Sequence, residues 1–451
     1  MTNYFKCLFT AILLFSTLLG KAQDEVAPLL DRLQKTKGIE KIGVLNELSV
    51  VFRKTNRYES MGYARQAFKL SVEYHFLPGE ALAKKNEGVG WFFIGSNDSA
   101  TICYTQALVL FTKIGDKTGM SACYNNLGLI AQETGKYEEA LKYYAKSIEM
   151  DHKLGDETGV ALTLENIADI YMYQGNARKA LSITNQCIRI YMDQSYKPGL
   201  LASYINRGAE YEYLAQYEEA IRDQTKALQM ARELDDKYKE IQANSNLGVA
   251  YWHMGKPVIA MKFLNTALSM SDETDDGYNI DNTLKTIAEI FTFQKQYAKS
   301  NEILLKILNR TENIENKRQS AIIMTFMGRN LLELNEIDKA MGYFSKSLEI
   351  SIGLKAPYVV SENYRNLIHS NAILHNFQAA DSILDLYAEN YVILAGNDSI
   401  SDKMGMKKES AEILLSSTSS PSEWLIAFSL MAVVILLSII AFRDKVRKND
   451  P

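Results

Sequence analysis

Proline is scarce in this chain, with 7 among 451 residues, and glycine numbers only 25. So few breakers argue against a sandwich or barrel of many short strands and for long, uninterrupted helices. Neither charge sign is in excess: 50 Lys and Arg face 54 Asp and Glu. A nucleic-acid surface needs a marked positive surplus, so no nucleic-acid partner is expected. Histidines are few, and His75, His152, His253, His369 and His375 match no zinc-ligand or metalloprotease spacing. His369 and His375, six apart and so not on one helical face, read as solvated helix residues. The chain shows no phosphate loop and no nucleophile elbow, so catalytic, cofactor and metal sites are all expected to be none. Of four cysteines, Cys7 lies near the start, leaving Cys103, Cys123 and Cys187. A Cys103–Cys123 disulfide is open on position, but these places are small or apolar in the rest of the chain. Buried free thiols are the expectation.

Long apolar runs number two. Lys6 precedes Cys7 to Leu19, followed by Gly20-Lys21-Ala22, the pattern of a signal peptide over 1–22. Trp424 to Phe442 carries no charge and would span about 28 Å as a helix, close to the thickness of a bilayer core. Arg443, Lys445, Arg447 and Lys448 follow it, and such charges stay cytoplasmic. The expectation is a single-pass protein of a bacterial inner membrane. Its body would be extracytoplasmic (periplasmic), its span 424–442, and its cytoplasmic tail 443–451. Residues 396–423, rich in Ser, read as a juxtamembrane linker.

Between these ends the sequence repeats every forty residues. Steps of forty from Ala140 give Ser60, Ala100, Ala180, Ala220, Ala260, Ser300, Ala340 and Ala380, all small. A second column runs Leu48, Gly88, Gly128, Ala168, Gly208, Gly248, Ala288, Gly328 and Ile368. A third runs Ala67, Ala107, Ser147, Cys187, Ala227, Ala267, Ile307, Ser347 and Tyr387. Gly135 suits a left-handed helix end, and Glu138 and Glu139 favour the start of the next helix. Ala140, Tyr144 and Ser147 share one helical face. Each unit is expected to be a helical hairpin whose small columns let two antiparallel helices approach. Stacking of neighbours then buries the face that one hairpin cannot cover.

Leu127-Gly128, Gly135, Tyr137, Ala140, Tyr144 and Ser147 resemble the tetratricopeptide repeat, as do Leu247-Gly248, Tyr251, Gly255, Ala260 and Ala267. The unit here is longer than the family's usual one. The resemblance spans residues 39–395 and implies an all-α, right-handed α-solenoid of about nine hairpins, plus the C-terminal span. Leu48 and Ile368 depart from the small column, which fits terminal capping. Residues 24–38, with Val26, Leu29, Leu30 and Leu33 on one side, read as an N-terminal capping helix.

One further column holds Asn46, Asn86, Asn126, Asn166, Asn206, Asn246 and Asn366, interrupted by Thr286 and Phe326. Asn is mediocre inside a helix, so its recurrence needs a cause. Seven residues on stand Phe93, Tyr173, Tyr213, His253 and Phe293. In the family that this chain resembles, the first helix of each hairpin lines a groove, where an amide grips a bound peptide's backbone. Asn86, Asn126, Asn166, Asn206 and Asn246 with these rings form the candidate ligand groove. An amide both donates and accepts, so it pairs with a peptide group whatever the side chain. The competing explanation is that Asn bonds the neighbouring hairpin and the rings are half-buried core.

The family's clamp for a terminal carboxylate is matched only by Lys85 and Asn126. Val89, Leu162 and Asn166 hold the other places, so recognition of a free C-terminus is not expected. The resemblance implies a non-enzymatic protein- or peptide-binding scaffold. The layout also resembles the input half of bacterial membrane signalling proteins. A tail of nine residues after Phe442 is too short for a folded output, so the alternative is a sensory subunit serving a separate kinase or transcriptional regulator.

Overall fold

The computed structural model describes residues 26–53, 56–274, 277–313, 317–354 and 356–395. These are helical almost throughout. In chain order the helices are α1 (26–35), α2 (Gly38–Phe52), α3 (Arg57–Glu73), α4 (Leu77–Phe93), α5 (Asn97–Ile114), α6 (Lys117–Glu133), α7 (Tyr137–Leu154), α8 (Glu157–Tyr173), α9 (Ala177–Asp193) and α10 (Lys197–Tyr213). They continue as α11 (Tyr217–Glu233), α12 (Lys237–His253), α13 (Pro257–Thr274), α14 (Gly277–Phe293), α15 (Tyr297–Asn313), α16 (Lys317–Glu333), α17 (Ile337–Gly353), α18 (Pro357–Ile373) and α19 (Phe377–Ala395). From α2 onward they pair into nine hairpins.

The forty-residue period has a half-period of twenty. Most helices run 17 residues, as α6 and α8 do, and about three more make the turn. One residue per turn takes the left-handed conformation: Gly95, Gly115, Gly135, Gly155, Gly175 and Gly255, but also His75, Ser195, Ala215, Asp235, Lys295, Asn335 and His375. At Gly135 (φ 74°) the turn closes with Lys136 N donating to Ala131 O at 2.8 Å and Gly135 N to Gln132 O at 3.0 Å. That pair of bonds satisfies carbonyls the helix end would otherwise leave open. His75 and His375 therefore sit in turns, which corrects the helical reading of His375. Asp116 and Asp156 cap the following helices by accepting from the Gly119 and Gly159 amides at 3.0 and 2.8 Å.

The chain divides into two compact units at Asp236/Lys237. The first holds α1 and five hairpins, the second four hairpins. Within each, a first helix packs on its own second helix and on the second helix of the preceding hairpin, as α6 does on α7 and α5. The alanines from Ala100 to Ala380 in the small column are fully buried. The glycine column faces the residue sixteen positions on. A Cβ on Gly88 would come 2.9 Å from the Tyr104 ring, one on Gly248 2.5 Å from Leu264, and those on Gly128 and Gly328 would overlap Tyr144 and Phe344. Sixteen positions after Ala168 stands Thr184, smaller than the Tyr144 that faces Gly128. Leu48 and Ile368, the large members of the column, are both fully buried.

The expected transmembrane helix, and with it the placement as a single-pass membrane protein, is corrected. No helix among the described residues is long and apolar enough to cross a membrane. The physical reason is amphipathicity: the described helices bury one stripe and carry polar residues on the other, and even the 19-residue α19 exposes Asp381 and Asp385. The expected leader (1–22), linker, span and tail (396–451) lie outside the described residues.

Candidate functional site

The Asn column falls on the first helix of each hairpin, and the protein does not treat its members alike. Asn46 and Asn86 are buried; the Asn86 Nδ2 donates to Asn46 Oδ1 at 3.1 Å, and Asn46 Nδ2 to Ile42 O at 3.1 Å. These two bond the first two hairpins together, as the structural explanation requires. Asn166 is half-buried and donates to Asn125 Oδ1 at 2.9 Å, with no bond to its own Oδ1 among the described residues. Asn126, Asn206 and Asn246 are half-buried and make no side-chain hydrogen bond among the described residues. Along α6, α8 and α10 of the first unit, then, three successive hairpins present amides with unused capacity.

The rings seven residues on occupy the last position of each first helix, at the edge formed by the hairpin turns. Phe93, Tyr173, Tyr213, His253 and Phe293 are all exposed, Tyr173 at 70%. Three of them lean on the preceding hairpin: Tyr173 stacks on Tyr137 with centroids 6.5 Å apart, Arg57 lies over Phe93, and Phe293 meets Trp252 edge-on at 5.3 Å. Each of these three rings therefore staples neighbours and offers its other face to solvent. On α6 the corresponding place is held by Glu133, and Lys85 is the one cation matching the clamp pattern. Burial pushes the Lys85 ammonium below its ordinary value.

Two features escaped the column reading because it sought recurrence, not departure. The first is an apolar cleft of about 740 Å³ among α3, α4 and α5, lined by Phe68, Glu80, Lys84, Ile102, Val109 and Leu110, among others. Ile102 and Val109 are 58% and 63% exposed, at places where other hairpins carry residues such as Lys142, Arg222, Glu149 and Arg189.

The second is a polar interior in α9–α11. Arg207 stands where Leu127, Ile167 and Leu247 stand elsewhere, Asp223 where Tyr143 and Phe263 stand, and Glu210 where Ile130, Ile170 and Ile290 stand. Arg207 grips Asp223 through two bonds of 2.6 and 2.9 Å and Asn185 at 2.7 Å, with Tyr204 and Tyr211 beside its guanidinium. Glu210 accepts from Thr184 Oγ1 at 2.5 Å. Burial pushes its carboxyl up to about 7, against the pull of the Thr184 bond.

Cys103, Cys123 and Cys187 are free and buried, as read from their columns. Burial raises the Cys103 thiol to about 11 and the Cys123 thiol to about 12. Among the described residues no group of His, Cys, Asp and Glu is placed to hold a metal ion.

Stacked hairpins of two 17-residue helices, closed by left-handed turns and packed through small columns, define a helical-repeat array. The tetratricopeptide repeat family model matches residues 93–153, 159–233 and 199–273. The chain carries tetratricopeptide repeats. Solved structures similar in fold include the signal transduction ATPase with numerous domains, bearing a tetratricopeptide repeat sensor, from Pyrococcus horikoshii. It shares 17% identity at a TM-score of 0.53, over 75% of this chain and 52% of that one. The chain thus spans about half of that protein's length. The apo quorum sensor NprR from B. thuringiensis is 18% identical at 0.54, over 68% and 86% of the two chains. A Rap protein complexed with competence and sporulation factor is 15% identical at 0.51, over 83% and 99%. At these identities the likeness is one of fold. No curated protein matches the chain.

Proposed function

We propose that this protein is a non-enzymatic scaffold that binds an extended peptide or protein segment along the first-helix face of its hairpins. Asn126, Asn166 and Asn206 take the ligand's backbone, and Tyr173 and Tyr213 cover its side chains. The observation that carries the reading is the unused hydrogen-bonding capacity of those three half-buried amides at one place in successive hairpins. A half-buried amide reaches solvent, so a peptide group can replace its water and take up both its donor and its acceptor. Asn246, His253 and Phe293 continue the same pattern in the second unit. Ligand binding by this fold has a precedent in the Rap protein, seen with its factor.

The test is a photo-reactive residue at position 166 and, separately, at the exposed outer position 142, in cells that make the protein. Adducts confined to position 166 support the reading, and competition by an excess of the identified segment must erase them. Adducts at 142 alone, or equal yields at both, overturn it. The second reading is a sensory subunit, favoured by the sensor and quorum-sensor descriptions of two similar folds. It requires that ligand occupancy change the affinity for a separate kinase or regulator at least several-fold.

A further inference from the structure

We propose that the α10–α11 hairpin is a proton-gated weak point of the first unit: ionisation of the buried Glu210 carboxyl loosens α10 from α9, and protonation closes it. Glu210 is 2% exposed and lies where other hairpins place Ile, Ala, Val, Gly, Asn or Ser; no other hairpin buries a charge there. Thr184 supplies its single hydrogen bond, and the Oε2 atom is fully buried with no partner. Thr184 itself stands where Tyr104 and Tyr144 fill the core, so both sides of this contact have traded apolar volume for polar atoms.

The charged groups acting on Glu210 are Asp169 from α8, Arg207 on its own helix and Asp223 from α11, and it in turn acts on the Cys187 thiol of α9. Arg207 is the one cation among them, and its guanidinium is already bound to Asp223 and Asn185. Two carboxylates therefore oppose ionisation and no uncommitted cation favours it. An unpaired buried charge is the costliest polar group a core can hold, whereas the neutral acid leaves only an ordinary unmade bond.

The sign follows from linkage. The closed state holds the proton to about pH 7, whereas the ordinary carboxyl of an opened hairpin loses it near 4.5. The closed state thus binds more protons between these values, and opening grows as pH rises through that window, then levels off above it. Hydrogen exchange read by mass spectrometry on the full chain, corrected for intrinsic rates, tests this. From pH 5 to 7 the opening constant of α9–α10 amides is expected to rise by about fortyfold, with α6–α7 in the same molecule as the flat reference. Glu210→Gln should abolish the pH dependence, and Glu210→Ile should also slow exchange at every pH. A flat wild-type profile, a rise equal to that of α6–α7, or a rise that survives in Glu210→Gln overturns the proposal. Circular dichroism at each pH verifies that the variants are folded.

Discussion

Replacing Gly128 by Ala puts the packing account and simple helix propensity in direct opposition. In a helix interior Ala is favoured over Gly by about 1 kcal/mol, so propensity alone predicts stabilisation. The structure predicts the reverse. A Cβ at 128 would lie within 3.0 Å of three atoms of the Tyr144 ring. That ring is fully buried, packs among Ala131, Ala140 and Ile170, and is held by its hydroxyl, which donates to Gln132 Oε1 at 2.8 Å. Overpacking a side chain that cannot step aside costs about 2–3 kcal/mol, so the net loss is about 1–2 kcal/mol. Pairing Gly128→Ala with Tyr144→Thr reproduces the Ala168/Thr184 combination that the next hairpin uses. The double-mutant cycle should therefore show a favourable coupling of at least about 1 kcal/mol, although Tyr144→Thr alone is destabilising. Urea unfolding read together with amide exchange in α6–α7 measures both quantities, since repeat arrays need not unfold in one step. A Gly128→Ala protein more stable than wild type, with no coupling to position 144, refutes the reasoning.

Other outcomes follow from the turns and the thiols. Ala215 and Lys295 occupy the left-handed turn position with φ of 57° and 58°, so Ala215→Gly and Lys295→Gly should each stabilise by about 1 kcal/mol in urea unfolding. Gly135→Ala has open space around its Cβ and should lose about 1 kcal/mol through backbone strain alone. The three buried thiols should be unreactive to a maleimide in the folded protein at pH 8 and all react in urea; a thiol that labels without denaturant contradicts its burial.

The hairpins were legible in sequence because packing imposes a period: a small residue must recur wherever two helices touch, and forty residues is two 17-residue helices with their turns. What the columns hid were compensated exceptions. Ala168 departs from glycine where its partner is the smaller Thr184, and His375 reads as helical because nothing in its identity signals a left-handed turn. Arg207, Glu210, Asp223 and Gln224 interrupt apolar columns within one hairpin, and that clustering was the available signal for the polar interior. The Asn column carried two meanings, which only the bonds separate. Asn46 and Asn86 tie hairpins together, whereas Asn126 and Asn206 bond to nothing among the described residues. The membrane expectation rested on composition at the two ends, and the described helices, amphipathic and short, do not supply a span.

The central claim is that the amides of α6, α8 and α10 bind a peptide backbone. Peptides selected from a random displayed library against the full chain should bind the wild type and lose affinity in the Asn126→Ala, Asn166→Ala, Asn206→Ala triple variant. Three hydrogen bonds at about 0.5–1.5 kcal/mol each set the loss at roughly tenfold to a thousandfold, whereas Lys142→Ala on the outer face should leave affinity unchanged. An affinity unaltered in a triple variant whose unfolding midpoint matches the wild type contradicts the account.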